Sequence, residues 1–305
     1  MSMEGLRDSR VLVTGGTGSI GTALVKELRR LGAREIRVLA RRERTGVMDV
    51  RFFEGDIAEA DKLAQAVAGA DIVFHLAALK DVAACEADPD AALRTNVIGS
   101  TNLLMAARNE PGVRRLIAIS SDKACAPSGV LGMTKSAMER VVTQFAEEGA
   151  RSFGSVRLGN VWGGSGSVLE RWEESAIRDG RIDVTDPEMT RFILTEHETT
   201  GLLVALASRP FTGEVVAPRM RAYRLGDLAT VFAEENGVVV RIIGPRGGEK
   251  LHEDLVSKDE APNSWIEGDL LVIDGRRAGS GVDAFTSAHA ERVPESELRE
   301  LLRST

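Results

Sequence analysis

Residues 120–135 read SSDKACAPSGVLGMTK, and they hold most of the chain's candidate chemistry. Asp122 and Lys123 are neighbours, an acid and an amine that could place one proton and remove another. Ser121 precedes them with a hydroxyl that can donate or accept. Lys135 follows on a helical pattern, where its charge could lower the pKa of neighbouring groups. The residue four before Lys135 is Leu131, which has no proton to give. The plain alternative for Asp122-Lys123 is a solvated charge pair in a loop. Against it stands the apolar stretch RRLIAISS (114–121), which ends at the pair. In an open α/β sheet the carboxyl ends of the strands face the ligand crevice.

That argument needs such a sheet, and the hydrophobic pattern supplies it. Strands are expected at 10–15, 35–40, 50–56, 71–78, 114–121 and 152–160. Helices are expected at 20–32, 60–69, 88–109 and 134–149. Strands separated by crossover helices predict a parallel sheet covered on both faces, a Rossmann-like, doubly wound α/β fold. Beyond residue 160 the pattern loosens. GGSGS (163–167) is a turn-rich loop, followed by a helix at 168–180, short strands at 182–185 and 191–195, and a helix at 198–208. The reading is a dinucleotide-binding domain over 1–160. A smaller, discontinuous α/β substrate lobe covers 161–305, and some of its strands and helices return to the first domain. The last stretch, VPESELRELLRST, reads as a surface helix.

TGGTGSIG (14–21) lies between the first strand and the first helix. Gly15, Gly18 and Gly21 suit a tight turn, close approach of backbone to a pyrophosphate, and close packing of helix on strand. Thr17, Ser19 and Ile20 complete this candidate cofactor loop. A glycine pattern alone is weak, because turns are glycine-rich, but here it sits correctly in a βαβ unit. The second strand runs into LARRERTG, with Arg41 and Arg42 where an NAD-specific site carries an acid. Guanidinium groups there favour NADP, with NAD as the alternative. The competing reading is a solvated basic loop. Asp56, just after the third strand, could reach an adenine amino group or cap a helix.

Bulk properties set limits. The chain has 305 residues, and 39 basic against 46 acidic side chains give a net charge of −7. An electrostatic grip on nucleic acid or an anionic membrane is therefore not expected. Cys85 and Cys125 form neither a disulfide framework nor a metal spacing, and no metal site is expected. No apolar run approaches a membrane span and the start is polar, so the expectation is a cytoplasmic protein.

Several stretches narrow the reading further. HLAALKDVAACEADPDAALRTNVIGSTNLL (75–104), SSDKACAPSGVLGMTK, VRLGNVWGGSGSV (156–168), VTDPEMTRFILT (184–195) and IIGPRGGEKLHEDL (242–255) resemble the nucleotide-sugar 4,6-dehydratases of the extended short-chain dehydrogenase/reductases. The nearest group is the inverting UDP-N-acetylglucosamine 4,6-dehydratases and their capsule and polysaccharide biosynthesis relatives. The resemblance spans roughly 10–260, and MTRF and GEKLHE are its most specific parts. It implies internal redox on a UDP-sugar with a tightly held NADP or NAD: oxidation at C4, loss of water across C5 and C6, and hydride return to C6. It further implies that Asp122 protonates the departing C6 hydroxyl and that Lys123 handles the C5 proton. Lys135 would orient the nicotinamide ribose, and Ser121 would bind the 4-oxygen. Ile57, Ala77, Lys80 and Asn96 would join the cofactor site. Lys80, Asn160, Arg191, Arg246 and Glu249 would hold the nucleotide sugar. A homo-oligomer is also implied. His252 is expected to support its loop, and His75 to sit in the core.

The chain departs from that group in three places. Leu131 stands where Tyr-x-x-x-Lys has its Tyr, although some members carry Met there. Ser165 stands where Arg is frequent, and the segment from Arg41 to Phe52 is short. Tyr223, the chain's one tyrosine, falls in the distal lobe and is not expected to substitute. An absent general base costs about a hundred- to ten-thousandfold in rate. Two further readings therefore stand beside the dehydratase. One is an epimerase, or a dehydratase eliminating elsewhere on the ring. The other is a catalytically silent nucleotide-sugar or dinucleotide binder.

Overall fold

The computed structural model describes residues 6–43, 49–149, 151–164 and 166–304. Ser165 and part of the 41–52 segment thus lie outside the described residues. Strands β1 (Arg10–Thr14), β2 (Glu35–Ala40), β3 (Arg51–Glu54), β4 (Ile72–His75), β5 (Arg115–Ser121) and β6 (Ser152–Leu158) are parallel and ordered β6-β5-β4-β1-β2-β3. Helices α1 (Ser19–Arg30) and α2 (Ala60–Val67) are the first crossovers. Alternation along β1 decides which face each residue covers. Val11 and Val13 join the core on the α1 side, while Leu12 joins the opposite core.

The helix expected at 88–109 is not one regular element. A short α3 (Val82–Ala87) comes first, then α4 (Pro89–Leu93), a wide π turn (Arg94–Gly99) and α5 (Ser100–Asn109). Asp81 and Asp88 cap α3 and α4 by accepting from Ala84 and Ala91 N–H groups. Helix α6 (Val130–Gly149) begins four residues earlier than the apolar pattern suggested. Beyond β6 come β7 (Asn160–Val161), α7 (Val168–Asp179), β8 (Arg181–Val184), β9 (Thr190–Leu194) and α8 (Glu196–Leu206). Thr195 and Glu198 form a reciprocal capping box at the start of α8.

The remaining elements are β10 (Val215–Pro218), β11 (Arg221–Arg224), α9 (Leu225–Asn236), β12 (Val239–Ile242), β13 (Asp254–Val256), β14 (Ser264–Glu267), β15 (Leu270–Ile273), β16 (Phe285–Thr286) and α10 (Glu295–Arg303). Of these, β10 extends the main sheet in parallel beside β6, and the β15–β14 hairpin closes that edge antiparallel. The α8 residues Leu203 and Leu206 share the core of α1. Outside the main sheet lie β7, β9 and β11 in one small sheet, β8 with β12 in another and β13 with β16 in a third, and a separate core surrounds Trp172, Ile182, Val184 and Phe232. Leu298 of α10 is buried in that core, so the last helix is docked rather than purely superficial.

Arg157 ties α6 to the segment around and after β13. Its guanidinium is almost fully buried and pairs with Glu139 of α6 at 2.8 Å and with Glu260 at 2.6 Å. It also donates to the Leu255 carbonyl. Glu139 accepts in turn from the Ser120 hydroxyl at 2.6 Å. Burial pushes the Glu260 carboxyl up, but the Arg157 charge outweighs it and brings the pKa down to about 2.

Candidate active site

A cleft of about 1420 Å³ opens at the carboxyl ends of β1, β4 and β5 and runs under the second lobe. That exceeds the few hundred to about 1,000 Å³ usual for one small ligand, and so leaves room for two. Thr17, Gly18, Ser19 and Ile20 line one end, with Arg41, Arg42, Asp56, Ile57 and Ala77. Lys80, Ser121, Lys123, Lys135, Asn160 and Arg191 follow toward the other end, which Arg246 and Glu249 complete.

The glycine loop is shaped for close approach. Gly15 has φ +69°, and a Cβ there would lie 2.7 Å from the Ala77 nitrogen. A Cβ on Gly21 would lie 2.5 Å from the Gly15 carbonyl oxygen. Gly18 is the N-cap of α1 and offers no side-chain cap, and no acid occupies the first turn. The helix therefore presents N–H donors and a partial positive charge to the cleft. These features fit a dinucleotide pyrophosphate. Arg41 and Arg42 are exposed at the mouth, at the end of β2. Asp56 is half-buried and its Oδ1 accepts from the Ala58 N–H at 2.9 Å, so it shapes the turn before α2 while lining the cleft.

Two histidine expectations can be placed. His75 is fully buried between the Thr14 hydroxyl (2.9 Å) and the Ser100 hydroxyl (2.8 Å), and burial pushes its pKa down to about 3. His252 Nδ1 lies 2.8 Å from the Thr190 hydroxyl and fastens its loop to β9. One residue is displaced from its expected role. Asn96 is fully buried in the π turn, with its amide bonded to Leu79 N–H and C=O and to the Thr134 hydroxyl. It braces the 77–80 loop from behind and is absent from the cleft wall, because both ends of its amide are used internally.

The chemistry gathers at the end of β5. Gly132 lets α6 press directly on the Asp122-Lys123 loop, since a Cβ there would sit 2.2 Å from the Lys123 carbonyl oxygen. Lys135 Nζ donates to the Ile119 carbonyl at 2.7 Å. Burial lowers its pKa to about 8, and the charge of Glu139 restores only part of the loss. Leu131 is buried beside Cys85 and Ala92 and lines the cleft through an apolar wall.

Asp122 is fully buried and is not part of the cleft wall, contrary to a direct role on substrate. Its Oδ1 accepts from the Ser121 hydroxyl (2.8 Å), the Lys123 N–H (2.8 Å) and Lys123 Nζ (3.1 Å). Lys123 does face the cleft, and its Nζ lies 3.5 Å from Glu253 Oε1. Burial works against the Lys123 ammonium, but Asp122 and Glu253 outweigh it and keep the pKa above the ordinary lysine value.

Glu253 and Tyr223 were not expected here. Glu253 ends the GEKLHE stretch and is 2% exposed, yet it forms part of the cleft wall. Its alternation with His252 was the available signal: His252 points to β9, so the next residue points the other way. Tyr223 comes from β11, opposite Arg191 of β9, and its hydroxyl is 3.4 Å from Asn160 Nδ2. Antiparallel pairing of two strands distant in sequence brought it in, and burial raises its pKa. Arg191 donates to the Thr190 and Leu251 carbonyls. The Arg246 N–H donates to the Glu249 carboxylate, which braces that turn.

A parallel sheet with a glycine loop and a lysine-bearing cleft at its switch point defines a Rossmann-like fold with a cleft suited to a dinucleotide. The chain belongs to the polysaccharide biosynthesis protein family of the extended short-chain dehydrogenase/reductases, which it matches over residues 11–273. An uncharacterised membrane protein of Methanocaldococcus jannaschii is 35% identical, over 97% of this chain and 96% of that protein. A UDP-glucose 4-epimerase of Rickettsia prowazekii is 30% identical, over 97% and 95%. Among solved structures, Pen from Bacillus thuringiensis superposes with a TM-score of 0.92 at 30% identity, covering 98% of both chains. MoeE5 in complex with UDP-glucuronic acid and NAD gives 0.71 at 26%, covering 79% of this chain and 87% of that one. Among the described residues no helix is long and apolar enough to cross a membrane, and no cluster of potential metal ligands occurs.

Proposed function

We propose that this protein is a nucleotide-sugar 4,6-dehydratase working by internal redox, with UDP-N-acetylglucosamine or a close relative as substrate. The observation that carries this reading is the Asp122, Lys123 and Glu253 cluster at the end of β5. Elimination of water needs one group to take the C5 proton and another to protonate the leaving hydroxyl. Epimerisation at C4 needs neither, because its acid–base work is confined to O4.

The bound nicotinamide would store the hydride taken from C4 and give it back at C6. Lys135 would hold the nicotinamide ribose from the floor of the cleft. Arg191 and Arg246 would take the UDP pyrophosphate, for which guanidinium forks are suited. Leu131 offers no phenol to O4. The proton there would leave to water through the Ser121 hydroxyl, after that group turns from Asp122. Turnover should accordingly be slow.

The epimerase alternative is kept because of the similarity to a UDP-glucose 4-epimerase over nearly the whole chain. Mass spectrometry after incubation with UDP-N-acetylglucosamine and UDP-glucose separates the two. Loss of one water supports the dehydratase, whereas an isomer of unchanged mass supports the epimerase. Binding with neither change supports the silent binder. We further propose NADP as the preferred dinucleotide, because Arg41 and Arg42 border the cleft where an NAD site carries an acid. Calorimetric titration of cofactor-free protein tests this, and Arg41→Asp should shift preference toward NAD. Tighter binding of NAD by the wild type would refute it.

A further inference from the structure

We propose that Glu253 is the base that takes the C5 proton, and that Lys123 is the acid that protonates the departing C6 hydroxyl. The assignment rests on the dehydratase reading and deepens it. It starts from which groups have a free lone pair at the cleft. Lys123 Nζ is held between Asp122 Oδ1 at 3.1 Å and Glu253 Oε1 at 3.5 Å. An ammonium between two carboxylates has donors and no lone pair, so it can give a proton but not take one. Asp122 also has an unpartnered carboxylate oxygen, Oδ2, but the residue is fully buried and is not part of the cleft wall, and its Oδ1 accepts three donors. Glu253 is the carboxylate in the cleft wall. Its Oε2 is buried with no hydrogen-bond partner in the protein. Buried polar atoms are nearly always satisfied, and of the two orphan carboxylate oxygens beside Lys123 only that of Glu253 belongs to a residue of the cleft wall, where a ligand could supply the partner.

The backbone holds Glu253 in place from behind. Its N–H donates to the Ser287 hydroxyl at 2.8 Å, and its carbonyl accepts from the Ser287 N–H at 2.8 Å. Ser287 is itself bonded to Thr190, which also binds His252. The position is thereby fixed from β9 and from the turn after β16, independently of the β5 loop that carries Lys123.

The balance of the step is as follows. In the 4-keto sugar the C5–H bond breaks and its proton goes to Glu253 Oε2. The electron pair becomes the C5–C6 double bond as the C6–O bond breaks. The oxygen leaves with a proton from Lys123 as water. Reduction at C6 uses the two electrons first removed from C4, and the proton on Glu253 returns to C5. The O4 proton leaves to water through Ser121 at the first oxidation, before Lys123 acts, and Lys123 takes one proton back from water after the elimination.

The test is deuterium exchange at C5, which needs the base but no hydride transfer. The probe is the UDP-4-keto-6-deoxy sugar that the wild-type protein makes from UDP-N-acetylglucosamine, incubated in D2O and read by NMR. Glu253→Gln should keep its thermal midpoint and its UDP affinity, and lose C5 exchange by about a hundredfold or more, the lower end of general-base effects. Glu253→Asp should recover part of the rate. If Glu253→Gln does not fold, Glu253→Asp carries the test, because its withdrawn carboxylate should slow exchange while UDP binding persists. Exchange in a folded variant within about threefold of wild type, well below any general-base contribution, overturns the assignment alone. Absence of water loss in the wild type overturns the dehydratase reading and this assignment with it.

Discussion

Replacing Arg157 by Met removes the guanidinium and leaves Glu139 and Glu260 facing an apolar chain. The pairs are nearly dry: side-chain exposure is 3% for Arg157, 5% for Glu139 and 19% for Glu260. Breaking a buried pair on one side costs about 3–5 kcal/mol. A second route gives a similar figure. The Glu260 pKa drops from 4.5 to about 2, and at about 1.4 kcal/mol per unit that is about 3 kcal/mol at neutral pH. The sign over pH follows from the lowered pKa. In the wild type this stabilisation is complete above the unfolded value near 4.5, and it is lost as pH falls from there toward 2. Arg157→Met lacks it at every pH. The stability gap between the two proteins should therefore be about 4 kcal/mol at pH 7, and should narrow by about 1.4 kcal/mol for each pH unit below 4.5. Urea unfolding followed by tryptophan emission, at pH 7, 4.5 and about 3.5, measures this. A loss below about 1 kcal/mol at pH 7, the scale of an exposed pair, would refute the reasoning. So would a gap that does not change between the two acidic points.

Two other perturbations address the cleft. Leu131→Tyr places a phenol on the same helix as Lys135, whose charge should lower the phenol pKa, and turnover should rise about a hundredfold at unchanged UDP affinity. Unchanged turnover in a variant of unchanged thermal stability would show that no general base is missing there. Arg246→Ala should weaken UDP binding by about 1.5–3 kcal/mol, as for a hydrogen bond to a charged group, with dinucleotide affinity preserved; equal losses for both ligands in calorimetry would place Arg246 in the framework instead.

The sequence by itself determined the parallel sheet, the glycine loop and the concentration of chemistry after β5. These are written in local periods: alternating apolar strands, helical crossovers, and a glycine turn at the first strand–helix junction. The same locality explains where the reading stopped. The π turn that aims Asn96 inward is invisible to a 3.6-residue period, so a scaffold residue looked like a cofactor ligand. The return of β10, β14 and β15 to the main sheet depends on pairing between strands far apart in the chain. Both Asp122 and Glu253 are buried, and which of them borders the cleft was decided by the packing of the loops, which adjacency to Lys123 does not encode. Residues 122 and 123 are neighbours in a loop, and the tight seating of Gly132 against that loop, with Asp122 buried beneath, leaves Lys123 at the surface of the cleft. Glu253 reaches the same ammonium from 130 positions further along the chain, and Tyr223 reaches Asn160 by the pairing of β11 with β9. Those meetings are products of sheet register and lobe docking, and only the folded chain sets them.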